Sequence, residues 1–339
     1  MLVILASDCT DAQRTHVMDA IRAAGCRVEE TTAGDRAVLS VLGDLDRLRR
    51  VPLGVFPGVQ KVVPITPSYN LAGLEHQQEP TVVTVGDVRI GGGGFVVMAG
   101  PCAVEDGETL LKTARAVKEA GAHILRGGAW KPRTSPYSFR GLGLAGLRLL
   151  REVSREVGLP TVTEVMDPRH IEAVVSNADM IQIGTRNMSN FDLLVEVGRS
   201  GHPVMLKRGR SATIGDWMLA AEYILAQGNP RVVLCERGVR GFDSVTRNIL
   251  DLSAVPAVRS RSHLPIIVDP SHGTGKASFV PSMSRAACAA GADGVMIEVH
   301  INPEAALSDA PQALVPPVFH DLCEDLQLLS QVIHRRADV

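Results

Sequence analysis

A thiol, an imidazole and two carboxylates, at Cys102, His272, Glu298 and Asp309, follow three short apolar runs: Phe95–Met98, Ile266–Val268 and Gly294–Ile297. This mixed set of soft and hard donors suits a divalent transition metal such as Mn, Fe, Co or Zn better than Ca. Singly, each has an ordinary reading: Cys102 as a buried thiol, His272 as a hydrogen-bonded loop residue, Asp309 as a cap in Leu307-Ser-Asp-Ala-Pro311. Together they make a metal site only in a fold that joins the first run to the last. A second group is cationic: Arg126, Lys131, Arg133, Arg186, Lys207 and Arg237. An unpaired buried charge is costly, so a cation at the end of an apolar strand needs an anion. Glu164, Glu236 and Asp269 can pair with one or two of them. Small phosphorylated or carboxylated ligands are expected to supply the remaining negative charge, and the number of cations suits two separate anions.

The elements that carry these residues repeat. Apolar runs at Phe95–Met98, His123–Leu125, Thr161–Thr163, Met180–Ile183, Val204–Leu206, Val232–Leu234, Ile266–Val268 and Gly294–Ile297 stop at polar or charged residues and are separated by amphipathic, helix-like stretches. Such alternation predicts a parallel sheet buried on both faces, and eight units predict a (β/α)8 TIM barrel over residues 95–339, with its site at the carboxyl ends of the strands. The helix over Glu108–Ala120 buries Leu110, Ala114 and Val117, and Thr213 with Asp216 has the spacing of a capping box. Residues 1–66 read differently. A strand at Met1–Leu5, a helix from Asp11 stopped by Gly25, strands at Cys26–Thr32 and Arg36–Leu42 around Gly34-Asp35, a helical piece at Asp44–Arg50 and a strand at Val59–Val63 give a βαββαβ order. That order predicts a small ferredoxin-like α+β domain. Residues 67–94 hold a linker and a hairpin turning at Gly86-Asp87, which is expected to cover the barrel bottom. Gly91–Gly94 and Gly273-Thr-Gly-Lys276 lack the context of nucleotide loops and read as turns.

Composition narrows the class. With 35 Lys and Arg against 37 Asp and Glu, the net charge of −2 gives no broad attraction to nucleic acid or to anionic membranes. No apolar run approaches the roughly 18 residues of a membrane span, and the N-terminus has no secretory pattern. Six cysteines without a CxxC pair favour a reducing compartment, so a cytoplasmic protein is expected.

The segment Arg126-Gly-Gly-Ala-Trp-Lys131-Pro-Arg133-Thr134-Ser-Pro-Tyr137-Ser-Phe139 resembles the substrate loop of the 3-deoxy-D-arabino-heptulosonate 7-phosphate (DAHP) synthases of the shikimate pathway. Ala99-Gly-Pro-Cys102, Ile183-Gly-Thr-Arg186-Asn, Leu206-Lys207-Arg-Gly209, Cys235-Glu-Arg237-Gly, Asp269-Pro-Ser-His272 and Glu298-Val-His300 extend the likeness in order. The leading domain resembles the regulatory extension of one branch of that family. The resemblance implies a metal-dependent, aldol-type condensation of phosphoenolpyruvate with erythrose 4-phosphate, releasing phosphate. It implies that Arg126, Lys131 and Lys207 contact the phosphoenolpyruvate carboxylate region, and that Arg186 and Arg237 hold its phosphate. Lys131, Pro132, Arg133 and Thr134 would receive erythrose 4-phosphate. The metal held by Cys102, His272, Glu298 and Asp309 would polarise the aldehyde. Lys131, Lys207, Glu164 and His272 are the expected catalytic residues, Glu164 as an orienter of water or of a lysine. A homotetramer and an aromatic amino-acid effector at the N-terminal domain are also implied. Tyrosine-responsive members tend to carry His-x-Ser where this chain has Glu30-Thr-Thr32, and Glu30 would repel an amino-acid carboxylate if it faced one.

Two other readings stay open at this level. A 3-deoxy-D-manno-octulosonate 8-phosphate synthase would take arabinose 5-phosphate, but that family carries a Lys-Ala-Asn-x-Ser loop where this chain reads Lys131-Pro-Arg-Thr-Ser135. A Schiff-base aldolase would use Lys207 as its nucleophile.

Overall fold

In a computed structural model of the chain, the described residues are 1–33, 36–43, 48, 50–63 and 69–334. They divide into two compact units, Met1–Ser68 and Tyr69–Val339. In the first, strands β1 (Leu2–Leu5), β2 (Arg27–Ala33), β3 (Arg36–Leu42) and β4 (Val59–Val63) form an antiparallel sheet in the order β2-β3-β1-β4. The Asp11–Ala23 helix opens with a capping box between Thr10 and Gln13 and buries Val17 and Ile21 in a core with Val3, Leu5, Leu39 and Val41. This is the expected ferredoxin-like sheet. The Gly34-Asp35 turn, and the helical piece expected over Asp44–Arg50 apart from Leu48 and Arg50, lie outside the described residues.

The second unit is the expected barrel. Strands β7 (Val96–Gly100), β8 (Ile124–Arg126), β9 (Thr161–Val165), β10 (Met180–Ile183), β11 (Val204–Lys207), β12 (Val232–Glu236), β13 (Ile266–Val268) and β14 (Gly294–Glu298) are all parallel, and β14 pairs with β7 to close the ring. Side chains alternate across the strands. Val97, Ala99, Leu125, Ile181, Leu206, Leu234, Val268 and Ile297 face the helices and share one core with Leu110, Leu147, Leu193, Trp217 and Phe319. Val96, Met98, Ile124, Val162, Met180, Met205, Val233, Cys235, Ile267 and Met296 fill the interior. The hairpin of β5 (Val83–Val85) and β6 (Val88–Ile90) adds Val83, Val85 and Ile90 to that interior cluster, so it plugs the end opposite the carboxyl termini.

Two local readings change. The stretch expected to be a plain linker is docked from Tyr69 onward: Glu222 accepts the amides of Asn70, Leu71 and Ala72 at 2.8–3.0 Å, and Ser262 donates to Ala72 O. Gly273 lies inside the short helix Pro270–Thr274, and Gly275 supplies its left-handed cap at φ +71°. Gly91, Gly92 and Gly93 do form a turn with positive φ.

The Ile214–Leu225 helix, which buries Trp217 behind β11, begins with the expected reciprocal cap: Thr213 Oγ1 accepts the Asp216 amide at 3.1 Å and Asp216 Oδ2 accepts the Thr213 amide at 2.9 Å. Thr213→Ala should cost about 1 kcal/mol and lower the barrel's thermal midpoint by about 2 °C. An unchanged midpoint by calorimetry would count against a stabilising cap.

Candidate active site and metal centre

The interior alternation does not stop where the apolar residues stop. Two positions beyond Ile124, Val162, Met180, Met205, Cys235, Ile267 and Met296 stand Arg126, Glu164, Gln182, Lys207, Arg237, Asp269 and Glu298. In a pleated strand this keeps each on the same face as the apolar residue before it. The polar residues therefore form the next layer up the barrel, at its carboxyl mouth.

Barrel closure brings Cys102, His272, Glu298 and Asp309 together, with one donor atom from each within 4.8 Å of the others. Cys102 Sγ is 3.3 Å from Asp309 Oδ2, and His272 Nε2 is 3.4 Å from Glu298 Oε1 and 3.8 Å from Asp309 Oδ2. Gln312 Nε2 donates to Glu298 Oε2 at 2.7 Å, while Oε1 has no hydrogen-bond partner among the described residues. His272 is aimed by Asp269, whose Oδ2 lies 2.7 Å from Nδ1 and whose Oδ1 accepts the His272 amide. That leaves Nε2 to face the cluster, as a carboxylate-backed metal ligand would. Asp309 sits at φ 55°, the one non-glycine residue with positive φ among those described.

Charge follows from these contacts. Burial, reinforced by Glu298, pushes the Cys102 thiol up to about 12. Burial alone would raise Asp309, but His272, Arg247 and Lys131 outweigh it and bring it down to about 2. Against burial, His272 and Lys207 hold Asp269 well below the usual carboxylate range, and His272 and Arg126 lower Glu298. His272 itself is lowered by burial despite both carboxylates. The donors thus fit a divalent transition metal in type and convergence, and binding one would release the Cys102 proton.

Above them opens a cavity of about 550 Å³ lined by Lys131, Pro132, Arg133, Thr134, Glu164, Arg186, Lys207, Arg237, His272 and Asp309, among others. Lys207 is paired with Asp269 and Arg126 with Glu298 at 3.2 Å, so two of the cations have protein anions. Glu236 does not serve this group, because it pairs with Arg208 at 2.9 Å. Arg126 lies off the cavity wall, donating to Pro101 O at 2.5 Å. Arg237 is buried at 5% exposure, yet its Nε and Nη1 have no hydrogen-bond partner among the described residues. Burial holds its pKa below the ordinary guanidinium value despite the nearby Asp269, with Arg247 and Arg210 acting in the same direction as burial. Arg186, read from sequence as a buried strand-end cation, is exposed on the 3-10 turn Thr185–Asn187 and reaches Pro132 O and Thr134 Oγ1. Arg133 Nη1 rests on Ser308 Oγ at 2.7 Å, and Lys131 Nζ donates to Cys102 O at 3.0 Å.

Glu164 is buried against Gln182 Nε2 at 3.3 Å, and burial raises its pKa while Lys131, Lys207, Arg126 and Arg186 pull it down. Its carboxylate occupies the space over Gly184, where an added Cβ would stand 1.9 Å from Oε1. Sequence reasoning missed Arg210, Arg240, Arg247 and Asn248, which also line the cavity. They come from loops, where no strand period marks them. Asp269 was read only as a counter-ion, although the three-residue step to His272 on a helical turn is a signal that it could orient the ring.

Comparison with known proteins follows the same outline. A family model described as the DAHP synthetase I family matches residues 72–334, and one described as the DAHP synthase ferredoxin-like domain matches residues 1–67. The chain is 43% identical over 333 residues to the phospho-2-dehydro-3-deoxyheptonate aldolase of Thermotoga maritima, covering 98% of each. It is 33% identical over 258 residues to a 2-dehydro-3-deoxyphosphooctonate aldolase of Acidithiobacillus ferrooxidans, covering 70% of this chain and 90% of that one. The crystal structure of the Thermotoga maritima DAHP synthase superposes with a TM-score of 0.91 at 42% identity over 98% of both chains. A truncated form from the same organism gives 0.74 at 47% identity over 79% of this chain and 98% of its own.

The protonated state of Cys102 in metal-free protein is directly measurable. After treatment with chelator, its alkylation by iodoacetamide at pH 8 should be at least about 100-fold slower than that of an ordinary thiol and should climb with pH toward about 12. Residue-resolved mass spectrometry showing fast modification at pH 8 in the folded protein would contradict the burial argument.

Proposed function

Because the chain belongs to the DAHP synthetase I family, its reaction is the condensation of phosphoenolpyruvate with erythrose 4-phosphate, and we propose that two groups of cations at the barrel mouth each hold one substrate. The observation that carries this division is Arg237, a buried guanidinium with two nitrogens that have no hydrogen-bond partner among the described residues. Arg237 and Arg186 would bind the phosphate of phosphoenolpyruvate, and Lys207 and Lys131 its carboxylate. Arg126 would contribute to that end from beneath the cavity, through Glu298. Pro132, Arg133 and Thr134 would hold the aldehyde's phosphate on the adjoining wall. Arg186 touches that same loop, which brings the two anion sites close enough for C3 of one substrate to meet C1 of the other.

Cys102, His272, Glu298 and Asp309 would hold a divalent cation, which would supply Lewis-acid polarisation of the aldehyde oxygen. The protein's own groups do the rest. Lys207 and Lys131 neutralise the carboxylate as the new carbon–carbon bond forms. Glu164, raised in pKa by burial, would orient the water that adds at C2 and accept its proton; the alkoxide left on the former aldehyde oxygen takes up one proton, and phosphate departs from C2. Lys207 Nζ is held by Asp269, a contact that an imine mechanism would have to break. The metal's identity within Mn, Fe, Co or Zn is part of the proposal.

The Met1–Ser68 unit is proposed as the regulatory domain, with an aromatic amino acid as effector. Glu30 does not stand as a bare anion there, since Arg14 pairs with it at 2.7 Å. A homotetramer in the cytoplasm is the proposed setting; no described helix is long and apolar enough to cross a membrane.

A phosphate-release assay with phosphoenolpyruvate and each aldehyde tests the assignment. Erythrose 4-phosphate should be preferred over arabinose 5-phosphate by at least about tenfold in kcat/KM. Chelation should abolish turnover and Mn or Co restore it, and added tyrosine, phenylalanine or tryptophan reads out regulation in the same assay. Equal or better use of arabinose 5-phosphate would overturn the substrate, and full activity without metal would overturn the Lewis-acid role. In Arg133→Ala, KM for the aldehyde should rise about tenfold while that for phosphoenolpyruvate stays within about twofold; parallel rises would place Arg133 outside the aldehyde site.

A further inference from the structure

Lys207 and Arg237, both assigned above to phosphoenolpyruvate, each have a charged neighbour that points the other way. Lys207 continues the interior phase of Met205, and Arg237 that of Cys235, so Arg208 and Glu236 fall on the outer phase of Leu206 and Leu234. There the two meet. Arg208 Nη1 lies 2.9 Å from Glu236 Oε2 and 2.9 Å from Asp251 Oδ2, its Nε donates to Ala212 O at 3.0 Å, and its guanidinium carbon is 5.9 Å from the centroid of the Trp217 ring. The Arg208 amide donates to Cys235 O at 3.0 Å, so the backbones are joined at the same level. Glu236 Oε1 in turn accepts the Gly238 amide at 2.5 Å, directly after Arg237. Arg208 is 6% and Glu236 0% exposed.

We propose that the Arg208–Glu236 pair is a positioning clamp, which locks the ends of β11 and β12 from outside the barrel so that Lys207 and Arg237 present their charges inside at a fixed separation. The reason for a buried ion pair here is geometric. Such a pair gains little net stability over apolar residues of similar volume, but a mismatch of about 1 Å between two anion-binding groups can cost about 100-fold in a reaction that depends on orientation. The pair's hydrogen bonds to Ala212 and Gly238 tie both flanking loops to the clamp. Neither residue lines the cavity, so its effect must pass through Lys207 and Arg237.

This inference rests on the assignment of Lys207 and Arg237 to phosphoenolpyruvate, so the test includes Arg237→Met as a control. The variants are Glu236→Gln, which keeps the shape and the acceptor for Gly238, Arg208→Lys, and the double variant Arg208→Met with Glu236→Gln, which removes the fully buried charges and leaves only the partly exposed Asp251 without its arginine. Phosphoenolpyruvate binding is measured by calorimetry on full-length, metal-loaded protein, and KM for both substrates by phosphate release. Glu236→Gln and the double variant should weaken phosphoenolpyruvate binding about tenfold and leave the aldehyde KM within about twofold, with Arg208→Lys in between. Equal shifts for both substrates, or unchanged phosphoenolpyruvate binding in folded variants, would reduce the pair to a stability element and overturn the clamp. If Arg237→Met leaves phosphoenolpyruvate binding intact, the site assignment itself is what fails.

Discussion

A row of linked polar groups runs across the barrel mouth: Lys207, Asp269, the His272 imidazole, Glu298 and Arg126. Each of these groups is buried or nearly so, and each would be costly alone. Linked, the neighbours of Asp269 and Glu298 keep both carboxylates ionised, as metal binding requires. Asp269 answers to a lysine on one side and an imidazole on the other, and Glu298 to an imidazole and an arginine. Removing one member leaves its neighbours uncompensated, so the row behaves as a unit in the sense that buried polar networks do.

The row explains why the metal donors and the cations share one end of the barrel without cancelling. Two cations are consumed within it, whereas Arg133 is left leaning on a hydroxyl and Arg237 has two nitrogens without a hydrogen-bond partner among the described residues. The positive charge that remains is directed into the cavity. Its division between two walls follows from the chain: Lys131 to Thr134 come after β8, and Lys207 and Arg237 end β11 and β12. Arg186 spans the gap by reaching the β8 loop from β10.

Much of this was readable beforehand because strand periodicity is a strong signal. Strand bounds inferred from apolar runs differ from the structural ones by no more than two residues, and the convergence of Cys102, His272, Glu298 and Asp309 follows once the ring closes. What escaped has a common cause. The partners of Glu236 and Asp269 depend on which face of a strand end each side chain leaves from, and a list of residues at strand ends does not state the face. Counting residues from the interior Ile267 and Val233 would have put Asp269 inside and Glu236 outside. The arginines at 210, 240 and 247 sit in loops without period, and the docking of residues 70–72 rests on side chains far away in the sequence, Glu222 and Ser262 among them.

The left-handed backbone at Asp309 narrows what that position can become over generations of drift. Among side chains with a β-carbon, asparagine and aspartate are the ones most at home in this region of backbone space, and of those two only aspartate carries a negative charge. A lengthening to glutamate, the mildest change by charge, would be opposed by the main chain before any donor geometry came into question. The position is thus hemmed in from two independent directions, and a lineage abandoning metal at this mouth would find asparagine the nearest open exit.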